Sequence, residues 1–510
     1  MSEGRTPLVY LVGAGPGDPG LLTLRAVECL GLADLVVYDR LLSPRILDFA
    51  RPTAERIGIE SLPGPQPARW PRIHQIIVEA ARAGKVVVRL KGGDPLIFGR
   101  GTEEADALRE AGIPYEFVPG ITAAQAAASY AEIPLTHRAC ASAIALITGH
   151  ENPTKPESSL DWSLLARFPG TLLLYMAMAR LDLIAHVLLD NGKSPDTPAA
   201  VIQNASTGQQ ITRTTTLAKL EQMVRDEGLA APAIVMIGPV VNFRPPASWF
   251  ENKPLFGKRV LVTRPRHQAA DLQRRLEQLG AITYLLPAVE IVDPPDWAPV
   301  DAAVARLAEF HWLVFTSANG VTQFFKRLLA LGHDLRALGK VRIAVIGPVT
   351  AEELKSMRLI PDLAPGSFRS EELAAELKQR VAGKRVLLAR ADRGRDLLRQ
   401  ELSRVAAVEQ VAVYSQIDAI NTHSDVLHAL SRGEIGYVTL TSSNIAHTFL
   451  SALDKTARSR IQQGAVALVS ISPVTSEAIR QAGLPVTIEA KEFTVEGLIA
   501  ALVAHAESKK

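Results

Sequence analysis

An acid closing an apolar run, downstream of a glycine-rich loop, is how many α/β proteins hold a dinucleotide. Here the loop is "VGAGPGDPGLL" (12–22) and the acid is Asp39, at the end of "DLVVYDR". The dinucleotide fingerprint requires glycine at its first, third and sixth positions. After Gly13 and Gly15 the sixth position is Asp18. The missing glycine normally lets the helix pack closely on the strand, and Pro16 and Pro19 remove backbone donors that a pyrophosphate needs. A nicotinamide oxidoreductase is therefore the weaker reading, and the loop must serve another ligand. Asp39 also fits a plain strand-end cap.

A second set of chemistry-bearing residues lies in the other half. "TSAN" (316–319), "TSSN" (441–444), "GPVT" (347–350) and "SPVT" (472–475) each follow an apolar run and open a helical pattern. Free N–H groups and the helix dipole at such ends favour anions. Serine and threonine there also serve as N-caps; recurrence of the signature favours an anionic ligand. No paired carboxylates or histidine cluster accompany it.

These residues need elements to hold them. From residue 6 to about 244, short β-type runs such as "VVVRLKGGD", "AIALITG" and "TLLLYMA" alternate with helical patterns such as "EEADALREAG". This is α/β patterning. At "NFRPPASWFENKPLFGKR" three prolines interrupt any period, which marks a linker over 245–256. From Gly257 the chain repeats: "GKRVLVTRP" begins at Gly257 and "GKRVLLARA" at Gly383, Thr316-Ser317 matches Thr441-Ser442, and Pro348-Val349-Thr350 matches Pro473-Val474-Thr475. The offset is 125 or 126 residues throughout. A duplicated α/β lobe follows, and two lobes normally enclose a cleft.

Bulk properties narrow the classes. The 510 residues exceed one core, and 56 basic against 53 acidic side chains give no case for nucleic acid. Two cysteines, Cys29 and Cys140, argue against a disulfide framework and a zinc site. No apolar run approaches the roughly 20 residues of a membrane span. The expectation is a cytoplasmic protein with no metal.

"VGAGPGDPGLLTLRA", "VVYDRL", "VVRLKGGDPLIFGRGTEE", "VPGITAA" and "IPLTHR" occur in that order and together resemble uroporphyrinogen-III C-methyltransferases of the tetrapyrrole methylase family. The resemblance implies S-adenosylmethionine as co-substrate, with contacts at Pro16, Gly92, Gly93, Asp94, Ile97, Thr122, Ala123, Met176 and Ala205. Glycines at 92 and 93 leave room for the ligand, and Asp94 can accept hydrogen bonds from its hydroxyls or ammonium. Met176 equally suits a core gap-filler. Asp39 matches the position of the family's proton acceptor. Arg40, Arg89, Lys91, Arg100 and Arg138 flank these loops and suit a substrate with eight carboxylates. One departure stands out: a family lysine, a suggested proton donor, is Ser61 here, inside "RIGIESLPGPQPARW", whose prolines suggest a rebuilt loop. Lys91 or water would have to substitute. His74 and His137 are further candidates, although a lone histidine is more often structural.

The second half is similar to uroporphyrinogen-III synthases, through "VLVTRP", "VFTSANGV", "AVIGPVTAEEL", "VAVYSQ" and "SPVTSEAI". That resemblance implies Tyr414 as an aid to leaving-group departure, although a half-buried strand tyrosine is the plain alternative. It also implies carboxylate binding by Ser317, Ser442 and Thr475, with Arg264 and Arg390 at equivalent strand ends. Lobe crossings are expected near 289–294 and 414–420. The expected architecture is α/β throughout: a two-subdomain methylase over 1–244, the linker, then a bilobal, internally duplicated synthase with flavodoxin-like lobes over 257–510. Hydroxymethylbilane would be closed to uroporphyrinogen III with inversion of one ring, then methylated at C2 and C7 to precorrin-2. An alternative leaves only the second half active. A homodimer through the first half is expected, with no nucleic-acid or membrane partner.

Overall fold

The computed structural model describes residues 8–63, 66–151, 159–366, 370–394, 396–420 and 424–509. Four five-stranded sheets carry the chain. In the first, Glu55–Gly58, Leu35–Tyr38, Val87–Lys91, Val9–Gly13 and Tyr115–Val118 lie side by side, all parallel. Val9–Gly13 and Val87–Lys91 are buried along their whole length, because helices cover both faces of a parallel sheet. The loops with chemistry-bearing residues leave the carboxyl ends of these strands, where open α/β sheets bind ligands.

The second sheet is mixed, ordered Ile144–Thr148, Thr171–Tyr175, Ala233–Ile237, Pro198–Gln203 and Ile211–Thr216, with only the first pair parallel. The two sheets meet through the loops. Thr122 Oγ1 lies 2.7 Å from Tyr175 Oη, and Tyr130 Oη donates to Asp18 Oδ2 at 2.6 Å.

The linker lacks strands and α-helices, as its prolines predict, yet it is docked rather than loose. Phe250 and Leu255 are buried, and Trp249 donates to Glu132 and to the Ser129 carbonyl. Arg244 and Glu251 pair at 2.6 Å beneath it. Likewise, the proline-rich stretch after Ser61 runs into a helix, Gln66–Arg82, rather than remaining loop.

In the second half, one all-parallel sheet joins Ile282–Leu285 and Arg259–Val262 to Tyr437–Leu440, Ala467–Ser470 and Ile488–Glu489. The other joins Arg342–Val345 and Trp312–Phe315 to Arg385–Ala391, Ala407–Asp418 and Val289–Val292. Val289–Val292 runs antiparallel to 415–418, so the two lobes connect where the crossings were expected. The repeat boundary at Gly383 is not a lobe boundary. Each lobe takes two strands from one copy and three from the other, so neither copy forms a lobe alone. Among the described residues no helix is long and apolar enough to cross a membrane.

Candidate active sites

The floor of the first-half cleft is backbone packed on backbone. Gly15 and Gly93 form a bridge, with N···O distances of 3.2 and 2.9 Å, and Ala14 N donates to the Lys91 carbonyl at 2.7 Å. A Cβ on Gly13 would meet Gly120 N at 2.5 Å and the Gly93 carbonyl at 2.7 Å. No side chain fits at that crossing. Gly92 differs: its Cβ would meet only Leu42, at 3.9 Å, so space stands open above it. Gly93 has φ +67°, which favours glycine.

The positions singled out for a cofactor lie on the loops around this floor, with Gly93 near Thr122 and Ala123. Asp94 accepts from Leu96 N at 2.8 Å and Gly120 N at 3.0 Å, tying two loops while each oxygen keeps a lone pair. Ile97, Ala123 and Ala205 pack against one apolar cluster that includes Tyr175. Pro16 and Ala205 line the same cavity, and Gly17 packs on residues 205–207. Met176 is no core gap-filler: it is 51% exposed with φ +54°. Five of the seven described non-glycine residues with positive φ (Phe98, Arg100, Met176, Asn204 and Ser206) lie in these loops. Such strain persists where a site over-determines the backbone.

Asp39 sits at the mouth, 27% exposed in its side chain, with Oδ1 2.5 Å from Arg89 Nη2. Arg89 is fully buried and donates from Nε to Glu104 Oε1 at 2.9 Å; Lys91, also buried, donates to the same oxygen at 2.8 Å. Burial and Arg89 push the Lys91 ammonium down, while Asp39 and Glu104 help raise the Arg89 pKa. This overturns the expectation that Arg89 and Lys91 meet substrate carboxylates. Both face inward along a strand buried on two sides and are spent on Glu104 and Asp39. Arg40 and Arg100 do stay exposed, paired with Glu60 and Glu103. Ser61 is exposed and turns its hydroxyl back to the Gly58 carbonyl at 2.7 Å. His74 is half-buried, with burial lowering its pKa, and His137 stacks on Phe243 at 4.1 Å.

In the second half, Tyr414 is 3% exposed and its Oη lies 3.0 Å from Ser317 Oγ. Burial pushes the phenol up, partly offset by Ser317, Arg390, Gln416 and Asn319 around it. Ser317 and Ser442 both cap helices, accepting from Gly320 N and Ile445 N. Thr475 is 1% exposed, and its hydroxyl meets Ser472, the true N-cap, at 3.2 Å. Arg390 is 7% exposed and donates to the Arg393 carbonyl. On the opposite lobe, burial pushes the Arg264 guanidinium down, and its Nε has no partner among the described residues. A desolvated cation of this kind suits a carboxylate ligand. Two amide contacts bridge the lobes: Gln268 to Asn319 at 2.7 Å and Asn444 to Gln416 at 2.6 Å.

The family of tetrapyrrole (corrin/porphyrin) methylases matches residues 8–221, and that of uroporphyrinogen-III synthase HemD matches residues 270–500. A porphyrin biosynthesis protein HemD of Ruminiclostridium josui is 36% identical over 96% of this chain and 96% of its own length. The chain belongs to the family that fuses a tetrapyrrole methylase to a uroporphyrinogen-III synthase. An S-adenosyl-L-methionine-dependent uroporphyrinogen III methyltransferase of Methanosarcina barkeri is 46% identical over 46% of this chain and 92% of its own. A uroporphyrinogen-III C-methyltransferase of Bacillus subtilis is 40% identical over 71% and 74%.

Sequence reasoning about this methylase–synthase fusion missed Glu104, Gln268 and the asparagines at the lobe interface. Asn319 and Asn444 had a signal: both close the four-residue pattern that recurs in the two copies, although only its serines were given roles. Glu104 had none, since neighbouring Glu103 is the same residue type yet exposed.

Proposed function

We propose that the synthase half closes hydroxymethylbilane to uroporphyrinogen III with inversion of the last ring, and that the methylase half methylates that product at C2 and C7 to give precorrin-2. The observation that carries the reading is Asp39, held on buried Arg89 beside a glycine floor that no side chain could share. Gly92, Gly93, Asp94, Thr122, Ala123 and Met176 would hold S-adenosylmethionine, which supplies an electrophilic methyl group. The open space over Gly92 fits such a ligand. Arg89 fixes Asp39 Oδ1 and leaves Oδ2 without a partner among the described residues, so that oxygen takes the proton that the macrocycle gives up elsewhere on its ring once the methyl group has bonded to a carbon that bears no hydrogen. Proton donation falls to water: Lys91 is enclosed with Glu104, and Ser61 is no acid.

In the synthase half, Tyr414 Oη hydrogen-bonds the departing hydroxyl, and Arg264 and Arg390 hold carboxylates. The same reading makes the protein a cytoplasmic homodimer whose product feeds sirohaem, cobalamin or haem. Hydroxymethylbilane supplied with and without S-adenosylmethionine tests it, with products separated by chromatography. Isomer III and its dimethylated derivative are expected; isomer I alone sinks the synthase assignment, and unmethylated isomer III sinks the methylase one.

Three further outcomes follow from the geometry. Gly13→Ala is expected to cost about 1–3 kcal/mol in urea unfolding, because its Cβ meets backbone. Gly92→Ala should leave stability within about 0.5 kcal/mol yet weaken S-adenosylhomocysteine binding in titration calorimetry. Tyr414→Phe is expected to slow formation of isomer III about tenfold, the worth of one hydrogen bond, with isomer I rising; an unchanged rate makes Tyr414 merely structural.

A further inference from the structure

The methylase cleft does not end within the methylase. A half-open cavity of about 520 Å³ runs from Pro16 and Ala205 to the far end of the helix Arg266–Gln278 in the synthase half. That is the size of a small-molecule site. The seam beside it is tightly built: a Cβ on Gly208 would meet the Gly280 carbonyl at 2.7 Å, and Arg45 pairs with Glu277 at 2.5 Å. Leu255 N of the docked connection donates to the Leu279 carbonyl at 3.0 Å.

The charge of the lining is unequal. Arg40, Arg45, Lys253 and Arg274 face it against two carboxylates, Asp18 and Glu277. Both carboxylates are already engaged, Asp18 by Tyr130 Oη and Gly20 N, Glu277 by Arg45 and Thr283. Lys253 has no carboxylate partner among the described residues. Its Nζ is instead pinned 5.0 Å from the rings of both Trp249 and Phe250, and burial pushes its pKa down. Arg40, Arg45 and Arg274 are held by Glu60, Glu277 and Asp271, the Arg274 pair at 2.5 Å and half exposed, so Lys253 is the lining cation left for an anion and Arg274 the one free to turn from a solvated partner.

We propose that this cavity is a holding site for a polycarboxylate macrocycle, with Lys253 of the connection and Arg274 of the synthase half binding its carboxylates. The synthase half thereby forms part of the substrate site of the methylase half, which a free-standing methylase lacks. The inference rests on the bifunctional reading above for the identity of the macrocycle. A carboxylate of the co-substrate is the competing source of negative charge, since Pro16 and Ala205 lie on the same wall.

Full-length chains carrying Lys253→Met with Arg274→Glu test this. Added uroporphyrinogen III should be methylated with KM raised about tenfold or more, the worth of a charge-assisted hydrogen bond, at unchanged kcat. Ring closure of hydroxymethylbilane and affinity for S-adenosylhomocysteine should stay at wild-type values, and Lys253→Arg should retain wild-type KM. An unchanged KM overturns the proposal, as does a weakened affinity for S-adenosylhomocysteine instead. Should the wild-type chain methylate nothing, the functional reading fails by itself. Fluorescence titration with uroporphyrin, an octacarboxylate, then decides the site: binding lost in the double variant supports it, and equal binding overturns it.

Discussion

Asp39→Asn is expected to lower methyl transfer by about 10²–10⁴-fold, the range for loss of a positioned acid–base group, while ring closure continues at its wild-type rate. The substitution keeps shape and one acceptor. The asparagine carbonyl can still take the Arg89 Nη2 hydrogen bond, placing the amide nitrogen where Oδ2 stood. That nitrogen accepts no proton. Arg89 keeps Glu104 on its other side, so the buried guanidinium is never left without a carboxylate. Folding should therefore survive, and the intact synthase half provides an internal control in the same tube. Both steps are read by feeding hydroxymethylbilane with labelled S-adenosylmethionine and counting isomer III and incorporated label separately. Incorporation within about threefold of wild type would return Asp39 to its plain reading as a strand-end acid with a structural role.

What the sequence made legible was whatever sits at strand ends. Gly13, Asp39 and Gly92 follow apolar runs, so their neighbourhood could be read from spacing alone. Burial inside a parallel strand could not. In "VVVRLKGGD" the run looks like a strand mouth lined with cations, yet residues 87–91 are buried on both faces, and only a distant helix resolves the charge. Glu103 and Glu104 are adjacent and identical in type; helix rotation alone turns the second inward, where it is 2% exposed. The repeat was equally plain as a period and silent about pairing. Val260 lies opposite Tyr437, far along the chain, because each copy completes the other's sheet. The connection misled in the opposite sense: its prolines removed any period, while Trp249 and Phe250 supplied the apolar surface that docks it.

Glu104→Ala removes the one carboxylate that serves two buried cations. Arg89 would keep Asp39, but Lys91, 1% exposed, would face Arg89 with no anion of its own. Breaking a buried pair by deleting one partner costs about 3–5 kcal/mol, a large share of the roughly 5–15 kcal/mol that hold a domain together. The methylase half is expected to unfold at markedly lower urea, followed by fluorescence of Trp70 and Trp162. Lys91 also sets the pH dependence. Burial and Arg89 already hold its pKa below the ordinary value, and losing Glu104 lowers it further. The unfolded chain then binds more protons than the native one, so stability must rise with pH up to the unfolded lysine pKa near 10.4. The Glu104→Ala deficit should accordingly shrink between pH 7 and pH 10. Glu104→Gln combined with Lys91→Met leaves an acceptor for Arg89 and no second cation, and should recover most of the loss. A deficit under about 1 kcal/mol at pH 7 would mean that water reaches Lys91 and that the buried tie between Asp39 and the sheet is not what holds the proton acceptor in place.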